Sequence, residues 1–447
     1  MSDQAILRIS REIRQLQQSS DLSLAVVCEE ADIRDVKALI IGPPGTPYEY
    51  GFFEFSVKFT ADYPARPPNV RALTTNNGRC RFNPNIYADG KVCLSILGTW
   101  HGERGEEWSS AQGLESILLS IQSLMSANPY ENEPGYENVR SEHDKIQMER
   151  YKSKIQHETL RIAVIQPLED SLGIQPDGTV LPPPERVESS NDDNFSFGDD
   201  AANPGPFDDL RKRRFMWYYE SYLQTIEKAS QNVQPKQQFE RMNFEGPGNV
   251  MSGCFDYPEL KRRLVFIKDA LAEETASWAI QGQEAAQKDS RVAVDLRRQY
   301  ERVSEDLKQQ NAYTVDLDLV DGNVFVWVLT YFGRPMTHLD GGVFRIKIHL
   351  SPKFPQEQPR VFVQTPIFHH RVSKEGVLCY FPRRPEDLGH HIEAMVQAIE
   401  EEEPPYDPRA IVNPEASKLL WGSPEDKKKY FRALRRSVER SIEEAFD

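Results

Sequence analysis

The sequence predicts an α+β protein in which one fold occurs twice, and three observations carry that prediction. The stretches GPPGTPYEYGFFEFSVKFTADYP from Gly42 and GRPMTHLDGGVFRIKIHLSPKFP from Gly333 align without a gap, at an offset of 291. The register holds at Gly51/Gly342, Phe53/Phe344, Pro64/Pro355, Pro68/Pro359, Val70/Val361 and Thr74/Thr365. Chance does not supply turn glycines, strand alternation and post-strand prolines in one register. Within the first copy, Phe53, Phe55, Val57 and Phe59 alternate with Glu54, Ser56 and Lys58, the period of a half-buried antiparallel strand. Each copy also delivers a cysteine three residues after a glycine, DGKVCLS at Cys93 and EGVLCYF at Cys379. That pair is offset by 286, so the second copy has the shorter loop before its cysteine.

Taken in order, residues 4 to 19 place Ile6, Ile9, Ile13 and Leu16 at helical spacing, with Arg8, Arg11 and Arg14 on other faces. Strands are predicted at Ser23–Cys28, Val36–Gly42, Phe52–Phe59 and Val70–Thr74, a four-strand antiparallel meander. Tyr63-Pro64 and Pro67-Pro68 interrupt the ladder because proline has no amide hydrogen to donate. An irregular stretch, Gly98 to Trp108, follows Cys93. Helices are expected at Ala111–Met125 and at Ser153–Leu168, separated by the loop NPYENEPGYE (Asn128–Glu137). These elements define a first domain over residues 1–170.

From Pro176 to Asp209 the chain becomes rich in Pro, Asp, Asn and Ser and cannot bury enough apolar surface to offset its ordering entropy, so 171–210 is predicted to be a mobile linker. A helical extension and connector is expected over 211–310. It begins with an aromatic helix at Arg211–Lys228, and a second helix starts from Asp256 with Pro258 in its first turn. The basic run Arg211–Arg214 reads as a solvated helix face. The second copy of the fold is placed at 311–447.

Composition narrows the function. The formal net charge is −15 and the isoelectric point is near 5.3, which argues against a nucleic-acid or anionic-membrane binder. No stretch has the length and apolarity of a membrane span or a signal peptide. The five cysteines are scattered without a CxxC pair, as expected of free thiols in a reducing compartment. A cytoplasmic or nuclear protein is expected.

The first domain resembles the ubiquitin-conjugating enzymes. The resemblance rests on the N-terminal helix, the four-strand meander, the YPxxPP element at Tyr63–Pro68, the xPN triplet Asn83–Asn85, Cys93 and a following tryptophan. FNPN, KVCLSILGTW, the long loop to Trp108 and NPYENEPGYE are similar to the family's large Z subclass, charged by the second ubiquitin-activating enzyme. That likeness extends over about residues 1–275. It implies two tandem conjugating folds and a thioester of ubiquitin, or of a ubiquitin-like modifier, on Cys93. The implied partners are an activating enzyme, ubiquitin ligases and substrate proteins. ATP is used by the activating enzyme, so no cofactor and no metal is implied here.

The chemistry of the residues fits. A thiolate exchanges readily with a thioester because the two acyl–sulfur bonds are nearly isoenergetic, and a carrier, unlike a hydrolase, must avoid activating water; His101 is the nearest histidine in sequence. The resemblance assigns Asn85 to the oxyanion formed during transfer, a task suited to a neutral, directional amide. It also implies an acidic or polar group after the second helix, either Glu133 or, with the loop one residue longer, Asn132. Asn83 stands where the family usually has histidine. Ala65 and Ser110 stand where the family's loops often carry a bulky apolar residue and a proline, so both enter as ligase contacts. Arg8, Arg11 and Arg14 are candidate activating-enzyme contacts.

In the second copy the triplet reads His369-His370-Arg371 and no tryptophan follows Cys379 at the expected place. The donor logic predicts a domain defective in lysine transfer, with Cys379 a candidate acceptor only. A metal site from His369, His370, His390, His391 and Cys379 is weighed against surface histidines, and the latter is expected. The alternative for the whole chain is a non-catalytic scaffold of two conjugating-like folds that binds ubiquitin or partners.

Overall fold

The computed structural model describes residues 3–29, 32–100, 106–138, 141–175, 178–180, 205–246, 250–288, 290–309 and 314–446. Most of the predicted linker (181–204) and His101 lie outside them. The chain divides into two compact units, Met1–Arg211 with Thr225–Ile267, and Lys212–Gln224 with Lys268–Asp447. Among the described residues no helix is long and apolar enough to cross a membrane.

In the first unit, α1 (Asp3–Gln17) precedes an antiparallel sheet of β1 (Leu24–Glu29), β2 (Asp32–Ile41), β3 (Phe52–Lys58) and β4 (Asn69–Ala72), in sequential order. α1 buries Ala5, Ile9, Ile13 and Leu16. Ala5 rather than Ile6 therefore starts the inner stripe. Phe53, Phe55 and Val57 point into the core as their alternation requires, but Phe52 and Ser56 on the other face are buried too. A π-type segment, Thr159–Ile165, packs against β3 there, so the sheet is covered on both sides.

Three further helices follow the sheet: α2 (Leu114–Leu124), α3 (Glu142–Glu158) and α4 (Gln166–Leu172), with the π-type segment joining the last two. The helix expected at Ser153 thus starts eleven residues earlier. Its opening turns are polar and show no apolar stripe, while the Ser141 hydroxyl accepts the Asp144 amide as an N-cap.

The second unit repeats this plan. β5 (Val315–Leu319), β6 (Val326–Phe332), β7 (Val343–His349) and β8 (Arg360–Val363) form a sequential antiparallel sheet. The offset of 291 survives in the pairing: Phe55 faces Ala72 as Ile346 faces Val363. It also survives in side chains. Thr74 Oγ1 accepts the Glu54 amide at 2.9 Å, and Thr365 Oγ1 accepts the Arg345 amide at 2.9 Å. The repeated glycine before β3 and β7 has a steric cause. A Cβ at Gly42 would meet the Tyr48 carbonyl oxygen at 1.8 Å, and one at Gly333 would meet that of Leu339 at 1.6 Å. α8 (Leu388–Glu400), α9 (Pro414–Leu420) and α10 (Pro424–Phe446) follow the sheet.

In chain order, α5 (Asp208–Ser230), α6 (Tyr257–Gln287) and α7 (Arg291–Gln309) come after α4 and before β5. α7 lies ahead of the predicted start of the second copy, yet Leu296 and Val303 join that copy's core. It packs where α1 packs in the first unit. Glu12 of α1 accepts the Leu114 amide at the start of α2, and Gln299 of α7 accepts the Leu388 amide at the start of α8.

Two surface expectations fail. Arg211, Lys212 and Arg214 are buried rather than solvated. Arg211 pairs with Glu54 and Asp208 in the first unit; in the second, Lys212 pairs with Glu274 and Arg214 lies over the Trp217 ring. For Arg211 and Lys212, pairing offsets the cost that otherwise keeps such charges outside. The histidines are also internal: His369, His370 and His391 are buried. Tyr380 Oη and the Pro385 carbonyl hold the two ring nitrogens of His391 at 2.9 and 3.0 Å. His370 Nδ1 lies 3.1 Å from Tyr430 Oη. Among the described residues, no three His, Cys, Asp or Glu side chains gather as a metal site.

The extension after α5 docks on α3 within the first unit. Met242 and Met251 enter the first core, and Lys154 meets Glu245 at 2.5 Å with side chains 1% and 2% exposed. His157 Nε2 accepts the Asp256 amide at 3.0 Å, inside a box formed by the Phe239, Phe255 and Tyr257 rings.

Glu245→Ala leaves Lys154 buried and unpaired and should cost about 3–5 kcal/mol in urea unfolding, while Lys154→Met with Glu245→Leu should recover most of it. Equal loss in the single and double variants would contradict the pairing. Burial depresses His391 to about 4 and His369 to about 3. Stability from these groups is complete above the unfolded value near 6.5 and falls as pH drops from there through the folded values. His391→Gln should reduce the slope of stability against pH between 6.5 and 4 by about one proton, or about 1.4 kcal/mol per pH unit. Hydrogen exchange of α8 peptides at several urea concentrations reads that slope, and an unaltered slope would refute the assignment.

Candidate active site

Cys93 ends a hairpin that is pinned to the edge of the first sheet. Gly90 has φ of +90°, and its carbonyl accepts the Ala72 amide of β4 at 2.8 Å. A Cβ there would lie 2.6 Å from the Ala72 carbonyl oxygen, so the position requires glycine. Ile86 bridges both Asn83 and Val92, and the Cys93 amide donates to the Asn85 carbonyl at 2.8 Å. Thr99 fastens the far side: its hydroxyl donates to the Val92 carbonyl at 2.7 Å and accepts the Leu94 amide at 3.0 Å. Cys93 is 4% exposed.

Asn85 returns the bond to its neighbour, with Nδ2 donating to the Cys93 carbonyl at 3.0 Å. Asn83 is wholly internal. Its Oδ1 accepts the Asn85 amide at 2.9 Å, and its Nδ2 donates to Tyr48 Oη and to the Leu124 carbonyl. An asparagine in the usual histidine position therefore braces the triplet from both ends of its amide.

Asn132 and Glu133 separate cleanly. Asn132 Nδ2 donates to the Leu124 carbonyl at 2.9 Å and lies 3.4 Å from Asn83 Oδ1. Glu133 Oε2 instead accepts from Arg81 Nη2 at 3.3 Å, and the same nitrogen donates to the Pro84 carbonyl at 2.5 Å. Partial burial pushes the Glu133 carboxyl up, and the Arg81 guanidinium opposes that. From behind, Phe244 of the extension sits among the Tyr130, Tyr136 and Tyr151 rings and so backs the loop that carries Glu133.

The remaining candidates gather around Glu12. Its carboxylate accepts from Arg8 Nε, from Tyr63 Oη and from the Leu114 amide. Arg8 also donates to the carbonyls of Ser110 and Gln112, both at 2.6 Å, so it ties α1 to the loop before α2. Arg11, Arg14, Ala65 and Ser110 are exposed, and Leu7 beside them is 66% exposed. Trp108 Nε1 donates to the Pro64 carbonyl at 2.9 Å, and its ring lies against Tyr63. It ties the Tyr63–Pro68 loop to the loop before α2. Glu12, Tyr63, Arg81 and Thr99 had no assigned role from sequence. Tyr63 and Thr99 lay within the YPxxPP and KVCLSILGTW motifs, whereas Glu12 and Arg81 carried no signal of their own.

Cys379 sits on the same hairpin with different side chains. Gly376 has φ of +84° and its carbonyl accepts the Val363 amide, Val372 bridges Leu378, and the Cys379 amide donates to the Arg371 carbonyl at 2.9 Å. His369 Nδ1 accepts the Arg371 amide as Asn83 Oδ1 accepts that of Asn85. Arg371 thus replaces Asn85, and its Nη1 reaches Cys379 Sγ at 3.9 Å while Nη2 pairs with Glu401. Cys379 is 0% exposed, and burial pushes its thiol up against the pull of Arg371 and Arg214. Within this unit, Trp217 of α5 meets the Phe381 ring edge-on, and Tyr218 Oη donates to the Arg409 carbonyl.

Known proteins resemble this chain in sequence. The family model for ubiquitin-conjugating enzymes matches residues 8–159 and 295–381, one segment in each copy. Ubiquitin-conjugating enzyme E2 Z of Xenopus tropicalis is 39% identical over 273 residues, 61% of this chain and 74% of that protein. The Homo sapiens protein of the same name is 37% identical over 270 residues, 60% of this chain and 64% of its own length. The human dual E2 ubiquitin-conjugating enzyme/E3 ubiquitin-protein ligase BIRC6 is 46% identical over 151 residues, 33% of this chain but 3% of that protein. With matches in both copies, on two sheets that repeat one topology, the chain belongs to the ubiquitin-conjugating enzyme family.

Proposed function

We propose that the first unit carries ubiquitin, or a ubiquitin-like modifier, as a thioester on Cys93 and transfers it to a lysine or to a ligase cysteine. In loading, the Cys93 thiolate attacks the carbonyl of a thioester held by an activating enzyme. The new C–S bond forms, the old one breaks, and the donor sulfur leaves as thiolate. In transfer, the lysine nitrogen attacks the same carbonyl, an isopeptide C–N bond forms and Cys93 leaves as thiolate. The observation that carries this reading is the reciprocal pair at the thiol, the Cys93 amide on the Asn85 carbonyl and Asn85 Nδ2 on the Cys93 carbonyl. The Asn85 amide has a second N–H for the oxyanion. Glu133 is the carboxylate that receives the proton from the incoming lysine, whose pKa in water is about 10.4. Arg11, Arg14, Leu7, Ala65 and Ser110 form the exposed face offered to activating enzyme and ligases.

The scaffold reading applies to the second unit, and a specific observation favours it there. Arg371 occupies the place of Asn85, and Cys379 is fully covered. We assign this unit a binding or regulatory role without thioester chemistry. The two modules are proposed to span about 1–170 and 311–447, with α7 completing the second and the 211–310 helices connecting them.

Incubation with ubiquitin, ATP and a panel of activating enzymes should give a reducible adduct that Cys93→Ala abolishes and Cys379→Ala leaves intact. An adduct surviving in Cys93→Ala would refute the site, and one lost only in Cys379→Ala would invert the two units. Asn85→Ala should charge but discharge onto free lysine about 10²–10³ times more slowly. Discharge at the unmodified rate would remove Asn85 from the mechanism.

A further inference from the structure

The carboxylate and the amide assigned to lysine transfer sit on separate loops, and transfer needs both in one register. Arg81 is 5% exposed and touches both loops through one nitrogen, with Nη2 at 2.5 Å from the Pro84 carbonyl and 3.3 Å from Glu133 Oε2. The Pro84 carbonyl belongs to the peptide unit whose nitrogen is that of Asn85, and the Asn85 amide is fixed in turn by Asn83 Oδ1. The guanidinium lies over the Tyr87 ring, 4.5 Å from its centroid, inside the same hairpin. On the opposite side, the Glu133 loop is backed by Phe244. A change in the Arg81 position therefore moves the carboxylate, the oxyanion amide, or both.

Building on the reading of Glu133 as proton acceptor, we propose that Arg81 is a positioning residue for lysine transfer, coupling the Glu133 loop to the Asn83–Asn85 turn. Arginine does not deprotonate in proteins, so the guanidinium takes no part in proton exchange. Its role is to hold the carboxylate ionised and aimed while fixing the peptide that presents Asn85. The groups facing Glu133 are Arg81, whose cation favours the ionised carboxylate, and the protein interior, whose burial opposes it. The Tyr130, Tyr136 and Phe244 rings pack together on the Glu133 loop, and Tyr87 lies against the Arg81 guanidinium.

The test uses the full chain charged at Cys93, with further charging stopped by chelating magnesium, so that only discharge onto free lysine is read. Rates are compared from pH 5.5 to 9 for the unmodified protein, Arg81→Gln, Arg81→Lys and Glu133→Gln. Gln keeps a neutral donor near the Pro84 carbonyl and loses the charge, which should raise the Glu133 pKa further. The ratio of the Arg81→Gln rate to the unmodified rate should approach one above pH 8 and fall several-fold toward pH 5.5, with Arg81→Lys in between. A ratio that is flat across pH, whether near one or uniformly low, would overturn the coupling, since loosened packing alone predicts a pH-independent loss. If Arg81→Gln lacks a cooperative urea transition, Arg81→Lys carries the test under the same criterion. Glu133→Gln discharging at the unmodified rate would remove the base and the proposal with it. A slowed Glu133→Gln beside a flat Arg81→Gln ratio would refute the role of Arg81 alone.

Discussion

A glycine carbonyl hydrogen-bonded to the last strand of the sheet decides where each cysteine of this chain sits. Gly90 gives its carbonyl to the Ala72 amide and Gly376 gives its own to Val363, both from backbone conformations that side chains rarely adopt. From that anchor the chain turns back through three residues and delivers Cys93 or Cys379 opposite the carbonyl of Asn85 or Arg371. The geometry is main-chain geometry, so it outlasts extensive change in the side chains around it. This explains how two copies can share a thiol hairpin and differ in what surrounds it.

What surrounds it separates the two units. Around Cys93 the side chains are neutral amides, Asn83 bracing and Asn85 turned on the cysteine carbonyl, with one carboxylate held at a distance through Arg81. Around Cys379 they are buried histidines and arginines, and the thiol itself is covered. A neutral amide can donate to a transient oxyanion; the guanidinium in its place at Cys379 lies 3.9 Å from a covered sulfur and pairs with Glu401. The division of labour proposed for the two units follows from that contrast.

The sheet and the repeat were legible in the sequence because strand alternation and turn glycines are local requirements. The Phe53–Val57 alternation and the Gly42/Gly333 register reappear residue for residue in the strand pairing. The long helix through α3 and α4 was only half legible, since its polar opening turns are recognised by the Ser141 cap and not by periodicity. Burial of charge was not legible at all. Arg211, Lys212 and Lys154 find carboxylates at distant positions in sequence, Glu54, Glu274 and Glu245, and His391 finds a tyrosine and a carbonyl only after folding. At the site, Cys93 and Asn85 stood out by motif, whereas Arg81 and Glu12 act through partners that the linear chain does not reveal.

Of the two equivalent hairpins, one is proposed to carry the modifier. The unmodified chain, charged with ubiquitin and quenched in acid to preserve thioesters, can be digested and mapped by tandem mass spectrometry. The account predicts the modifier's C-terminal remnant on the Cys93 peptide and a free thiol on the Cys379 peptide. A remnant on Cys379, alone or alongside Cys93, would contradict it.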